Sequence, residues 1–307
     1  MYLTGFADEA SQEIEKQITV TKALGWENIE SRNIKGTNIH NISDEEFDYV
    51  FGKLQDSGVK INCFGSAIAN WSHSIKEPFD ITLEEIKRAI PRMKKLGTKL
   101  IRIMSYAILY DAPATKEGQM FDERVKRVKE IIKIFEDEGI TPVHENCMNY
   151  GGLGWKYTLD LIEAIPNLKL VFDTGNPVFS HDFSKASKAD LEKPIEEVKN
   201  KPPMQNAWEF YIKVKPYIKY IHIKDGYFDF DNKTQIFTYP NIGKGYIKEI
   251  LTDLIKGGYD GGISIEPHVA TVYHDNGDEK VKEELKYNAY FHYGIIINQL
   301  IDYINKN

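Results

Sequence analysis

Amphipathic segments alternate along this chain with short apolar runs rich in β-branched residues, and a glycine or proline stands at each junction. The breaks and the runs after them read Gly25-WENIES, Gly58-VKINCF, Gly97-TKLIRI, Gly139-ITPVHE, Pro166-NLKLVF, Pro216-YIKYIHI and Gly258-YDGGISIE. With the opening YLTGFAD run there are eight. Glycine ends a helix through the left-handed conformation, and proline cannot extend one. The runs are mostly apolar without interruption, as strands buried on both faces of a parallel sheet are.

The segments between them carry helical periodicity. Ser43 to Glu46 has the spacing of a capping box, followed by the stripe Phe47, Val50, Phe51 and Leu54. Thr82 to Glu85 repeats the capping pattern ahead of Ile86, Ile90 and Met93. Val125, Val128, Ile131, Ile132 and Phe135 mark another helix, as do Ile247, Ile250, Leu251 and Leu254, and an apolar helix runs from Ile295 to Ile304. Each stripe reads as core. Strict alternation implies right-handed crossovers and a parallel sheet. Eight units predict a single α/β domain over residues 1–307, a (β/α)8 TIM barrel. No GxGxxG follows the first strand, which tells against an open dinucleotide-binding sheet. The irregular stretch from about 176 to 205 is too long for a plain connection and is expected to line the site.

Charge narrows the partners. Lys plus Arg number 39 against 46 Asp plus Glu, a net charge of -7, so a nucleic-acid backbone or an anionic membrane is not the main partner. Two cysteines, Cys63 and Cys147, form no metal or redox spacing. With no leader pattern and no long apolar run, the expectation is a cytoplasmic protein acting on a small molecule. The aromatic NAYFHYG segment of the last helix offers a surface for a homo-oligomer.

Chemistry in parallel barrels collects at the C-terminal strand ends. Strands five to eight end in VHEN, VFDTGN, IHIKD and ISIEPH, each with one candidate metal ligand: Glu145, Asp173, His222 and Glu266. If these face the interior, alternation turns Val143, Val171, Tyr220 and Ser264 inward below them, sets Lys224 and His268 at the pocket rim, and points His144 outward. Three buried carboxylates repel one another unless a cation joins them. Three oxygen donors and one nitrogen suit Mn2+ best, with Mg2+, Co2+ or Zn2+ as alternatives, and leave coordination positions for two substrate oxygens.

These motifs resemble the xylose-isomerase-like barrel superfamily, the sugar phosphate isomerases/epimerases, from GFADEA to the last helix. The resemblance rests on the Glu of HEN, the Asp of FDTGN, the HIKD segment and GKGYIKEIL…GGYDGGISIEPH. Glu30 and Arg32 in NIESRN are similar to its strand-two signature, and Arg102 in LIRIMS to a strand-four position near the pocket. The resemblance implies a small carbohydrate substrate, with Glu145 and Glu266 doubling as base and acid around a metal-bound enediolate. Arg102, Asn146, Asn176, Lys224, Asp225 and His268 become the expected substrate contacts. The chain departs from ketose epimerases of the superfamily in having Asn176 where they have His, and Phe228 where they have Arg. His144 beside Glu145 resembles barrels that eliminate the aglycone of 3-keto-glycosides, which makes His144 a catalytic candidate and a lyase the alternative to an isomerase or epimerase. A non-catalytic sugar-binding barrel is the third reading. The extra His and Asp ligands of three-zinc endonucleases are missing.

Overall fold

The apolar runs form the strands of one ring, and the amphipathic segments form its outer layer. The computed structural model describes residues 1–270 and 279–307. The strands are β1 (Tyr2–Gly5), β2 (Asn28–Ser31), β3 (Lys60–Phe64), β4 (Leu100–Ile103), β5 (Thr141–Glu145), β6 (Lys169–Asp173), β7 (Ile218–Ile223) and β8 (Gly262–Ile265). From β2 to β8 each pairs in parallel with the next, and β8 returns to pair with β1. A parallel bridge between Phe6 and Glu30 joins β1 to β2. The fold is a TIM barrel, as the alternation predicts.

The main helices are α1 (Ile14–Ala23), α2 (Asp44–Ser57), α3 (Phe79–Leu96), α4 (Phe121–Asp137), α5 (Trp155–Ala164), α6 (Ala207–Val214), α7 (Ile247–Lys256) and α8 (Glu279–Lys306). The Ser43 hydroxyl accepts the Glu46 N–H at 3.1 Å to cap α2, and Gly58 ends that helix at φ 73°. The second capping expectation fails. Helix α3 begins at Phe79 behind Pro78, which places Thr82 inside it, buried, with its hydroxyl 3.0 Å from the Tyr106 hydroxyl. A tertiary contact has taken the side chain that the local pattern assigns to a cap.

Alternation along the strands divides the core in two. Cys63, Val143, Val171 and Tyr220 fill the barrel interior, with Tyr2 and Leu100 packed against them. Their outward neighbours Leu170, Phe172, Ile221, Ile263 and Ile265 pack into the larger cluster shared with the helices. The interior is closed by a polar plug, in which the Asn62 side chain accepts from Thr4 Oγ1 at 2.8 Å and donates to the Tyr220 hydroxyl at 2.9 Å.

Two insertions stand over the C-terminal ends of the strands. The stretch between β6 and α6 holds 3-10 turns and one four-residue helix (Lys188–Leu191), tied down by Gln205 donating to the Gly152 carbonyl at 2.7 Å. After β7 comes an antiparallel hairpin of Asp225–Asp229 with Thr234–Thr238. No described helix is long and apolar enough to cross a membrane.

Candidate metal centre

Glu145 and Asp173 are the last residues of β5 and β6, His222 is the penultimate residue of β7, and Glu266 follows the last residue of β8. One donor atom from each lies within 4.8 Å of every other, and all four side chains are buried. His222 Nδ1 is 3.2 Å from Glu145 Oε1 and 4.0 Å from Glu266 Oε2. The other face of the imidazole is taken by Glu30, an Oε2 of which lies 3.0 Å from Nε2 and accepts from Ser264 Oγ at 2.6 Å. A carboxylate behind a histidine fixes which ring nitrogen faces the site.

The motifs around these residues hold them in place. Asn146 exchanges two hydrogen bonds with the Asp173 backbone, at 2.7 and 3.0 Å. Asp173 Oδ1 accepts the N–H groups of Gly175 and Asn176 at 2.8 and 2.6 Å, which turns Oδ2 toward the Lys224 ammonium at 3.1 Å. A Cβ at Gly175 would stand 2.7 Å from Lys224 Cγ, so this glycine lets the lysine pass. Thr174 Oγ1 accepts the Lys224 N–H at 3.0 Å and donates to its carbonyl at 2.7 Å. FDTGN and HIKD are thus two halves of one brace.

Five carboxylates (Asp8, Glu9, Glu145, Asp173 and Glu266) pair with the fixed cations Arg32, Arg102 and Lys224, and a sixth, Glu30, pairs with His222. Burial pushes the Asp173 carboxyl up to about 7; Lys224 opposes the push, and Glu266 and Glu145 add to it. Burial also works against ionised Glu145, but Arg102 and His222 hold it down at about 2. Burial would depress His222, and the Glu30 and Glu145 carboxylates instead raise it to about 10. Glu145 Oε2 and Asp173 Oδ2 have no hydrogen bond, each meeting a cation at ion-pair range instead.

The four converging donors, the two oxygens without hydrogen bonds and the imidazole backed by Glu30 together fit a divalent cation with mixed oxygen and nitrogen ligands, which would take the place of the proton on His222 Nδ1. Lys224 also reaches Glu266 Oε2 at 2.9 Å, so an ion at the four donors shares two of them with this ammonium.

A cavity of about 1000 Å³ opens over the tetrad, and Arg102, Asn176, Lys224 and His268 line it. Three further candidates lie outside its lining. Asn146 is engaged with the Asp173 backbone, as above. Asp225 Oδ1 accepts the N–H groups of Gly226 and Gly245, both at 2.8 Å, and Oδ2 that of Gly243 at 3.1 Å, which secures the glycine loop. His144 points outward, as alternation requires once Glu145 points in. Its Nε2 is 3.0 Å from Ser105 Oγ, and burial pushes the imidazole down to about 4.

Other residues join the site without having been chosen from the strand-end pattern. Arg32 reaches Glu266, Asp8 and Glu9 at 2.8, 2.9 and 3.3 Å. Glu9 accepts both the backbone N–H and the Nδ1 of His268, at 2.7 and 2.8 Å, and this holds His268 at φ 55°. The acidic pair of GFADEA directly follows the first strand, so reading that strand end for acids would have found it.

The sequence matches the model of the family described as xylose isomerase-like TIM barrel over residues 18–289. The chain belongs to that family. Among solved structures, a xylose isomerase-like TIM barrel protein from Mycobacterium smegmatis in complex with magnesium is 17% identical, with a TM-score of 0.63 over 98% of this chain and 97% of that one. D-psicose 3-epimerase with D-tagatose from Clostridium cellulolyticum H10 is 19% identical, with a TM-score of 0.62 over 98% and 99%. A probable 3-DHS dehydratase of petrobactin synthesis from Bacillus anthracis is 17% identical, with a TM-score of 0.62 over 94% and 98%. At these identities the likeness is one of fold. No curated protein sequence matches the chain.

Proposed function

We propose that this member of the xylose isomerase-like family is a divalent-metal-dependent sugar isomerase or epimerase that moves a proton next to a carbonyl. The observation that carries the reading is the convergence of Glu145, Asp173, His222 and Glu266 at one end of the barrel, within 4.8 Å and under an open cavity. A divalent ion held there, Mn2+ by preference, supplies Lewis-acid polarisation of a carbonyl and its neighbouring hydroxyl, which acidifies the adjacent C–H. Glu145 is held ionised by Arg102 and keeps one oxygen free of hydrogen bonds, so it is suited to take that proton. Glu266 stands three strands away around the ring and is suited to the return step from the other side. Returning the proton to the opposite face of the same carbon gives an epimer, and returning it to the neighbouring carbon gives an isomer. Arg32, Arg102 and Lys224 supply positive charge where the substrate oxygen becomes negative.

The test is incubation with Mn2+ in deuterated water against a panel of ketoses, keto-inositols and 3-keto-glycosides. Deuterium in the recovered or interconverted sugar, lost in Glu145→Gln, supports the reading. Release of an aglycone with an unsaturated product reassigns the enzyme as a lyase. No exchange with any of the panel, from protein whose stability Mn2+ does raise, overturns it.

A further inference from the structure

The cavity's 1000 Å³ stands at the top of the range of about 300–1000 Å³ for pockets that enclose drug-sized ligands, and one sugar ring at the tetrad leaves most of it unfilled. Its lining also includes Trp71, Tyr110 and Met148, each about half exposed. They belong to the loops that follow β3, β4 and β5. A tryptophan left half in water forgoes much of the burial that makes the residue useful in a core.

These loops are held rigidly. Ala69 and Tyr106 both adopt left-handed backbone, at φ 52° and 66°, and the Tyr106 N–H donates to the Ala69 carbonyl at 2.6 Å. The Ala107 N–H donates to the His73 carbonyl at 2.9 Å, and Ala107 forms an antiparallel bridge with Asn149 of the third loop. From α4, the buried guanidinium of Arg124 donates to the carbonyls of Ser105, Tyr106 and Ala107. Left-handed conformations at residues other than glycine persist only where the surroundings over-determine them, and they gather at ligand clamps. A buried cation whose bonds run to backbone carbonyls is a costly fixture. Here it braces the loop that carries Tyr110.

We propose that Trp71, Tyr110 and Met148 form a preformed platform for a second ring, so that the natural substrate is a keto-sugar joined to a second ring, with the carbonyl-bearing sugar handled at the tetrad. This rests on the sugar reading above and narrows it. The platform side chains are uncharged, flat or pliable. They suit the C–H face of a pyranose or an aryl ring rather than a phosphate.

The test is calorimetric titration of the Mn2+-loaded protein with matched sets of methyl glycoside, 4-nitrophenyl glycoside and disaccharide, built on glucose, galactose and mannose and used as unreactive binding probes of the second-ring site. For at least one sugar, a two-ring member should bind about tenfold more tightly than the methyl glycoside. Trp71→Ala should bring that member down to the affinity of the methyl glycoside, and Trp71→Phe should keep part of the gain. An unchanged Mn2+-induced rise in melting temperature verifies that both variants fold. The arm that gains tells a sugar ring from an aryl ring. Equal affinities within every set, or a gain that survives Trp71→Ala, overturns the platform. If free ketoses still exchange deuterium in that case, the isomerase reading stands without it. If no member binds and nothing exchanges, both fall.

Discussion

Replacing His144 by glutamine separates a structural imidazole from a catalytic one and makes a quantitative claim about pH. The side chain is fully buried, and burial takes it from an ordinary value of 6.5 down to about 4. In the unfolded chain the same imidazole takes up a proton as pH falls through 6.5, while the folded protein refuses it until about 4. The unfolded state therefore binds more protons across that window. The stability present above pH 6.5 is lost as pH falls toward 4. At pH 5 the loss amounts to about 2 kcal/mol, which lowers the melting temperature by about 3 °C in a chain of 307 residues. Glutamine keeps a hydrogen-bonding group for Ser105 and does not titrate. In thermal melts with EDTA at pH 7.5 and 5.0, wild type should lose about 2 kcal/mol more than His144→Gln. Taking the difference between proteins cancels the carboxylates that both share. Equal losses refute the buried neutral imidazole. A variant that binds Mn2+ normally but no longer exchanges deuterium returns His144 to the chemistry.

Other outcomes follow from the site and its supports. Mn2+ at a thousandfold excess over its dissociation constant should stabilise the protein by about 4 kcal/mol, read as a melting shift that EDTA reverses and that Asp173→Asn abolishes. Gly175→Ala brings a Cβ to 2.7 Å from Lys224 Cγ and 3.0 Å from its carbonyl oxygen, so it should cost about 1–3 kcal/mol in urea denaturation and weaken Mn2+ binding in a competition titration. Arg124→Met leaves the carbonyls of Ser105, Tyr106 and Ala107 without their donor; a loss of about 3 kcal/mol, with faster amide exchange over residues 105–110, is the expected result.

What could be read from the chain was what depends on local period and on position at a strand end. The eight runs and the breaks after the helices needed no long-range information, because a parallel barrel buries both faces of its strands and its crossovers stop either in a left-handed glycine, as at Gly58, or ahead of a proline, as at Pro166. The inward set of Val143, Val171 and Tyr220 under the four ligands follows from the two-residue period alone, and the same period sent His144 outward against its attraction as a catalytic neighbour of Glu145. What could not be read was every choice that another segment makes. Thr82 has the pattern of a cap and is a partner of Tyr106, and Asp225 has the pattern of a site acid and is an anchor for three backbone N–H groups.

The electrostatic balance of the site belongs to that second kind, and it constrains the chemistry more tightly than the ligand set does. Composition records only a surplus of seven negative charges over the whole chain. The fold gathers six carboxylates around three fixed cations, one of which, Lys224, is threaded past Gly175 to touch two of the four donors. A divalent ion bound there would join a cation already in place, so the three carboxylates of the tetrad are not unopposed charge. Under the proposed reaction, an oxyanion forming on the substrate beside Lys224 would meet positive charge already in place. Stabilisation by charges that are already oriented needs no rearrangement, and the ion pairs to Asp173 and Glu266 hold the ammonium in place while Thr174 fixes the backbone of the lysine.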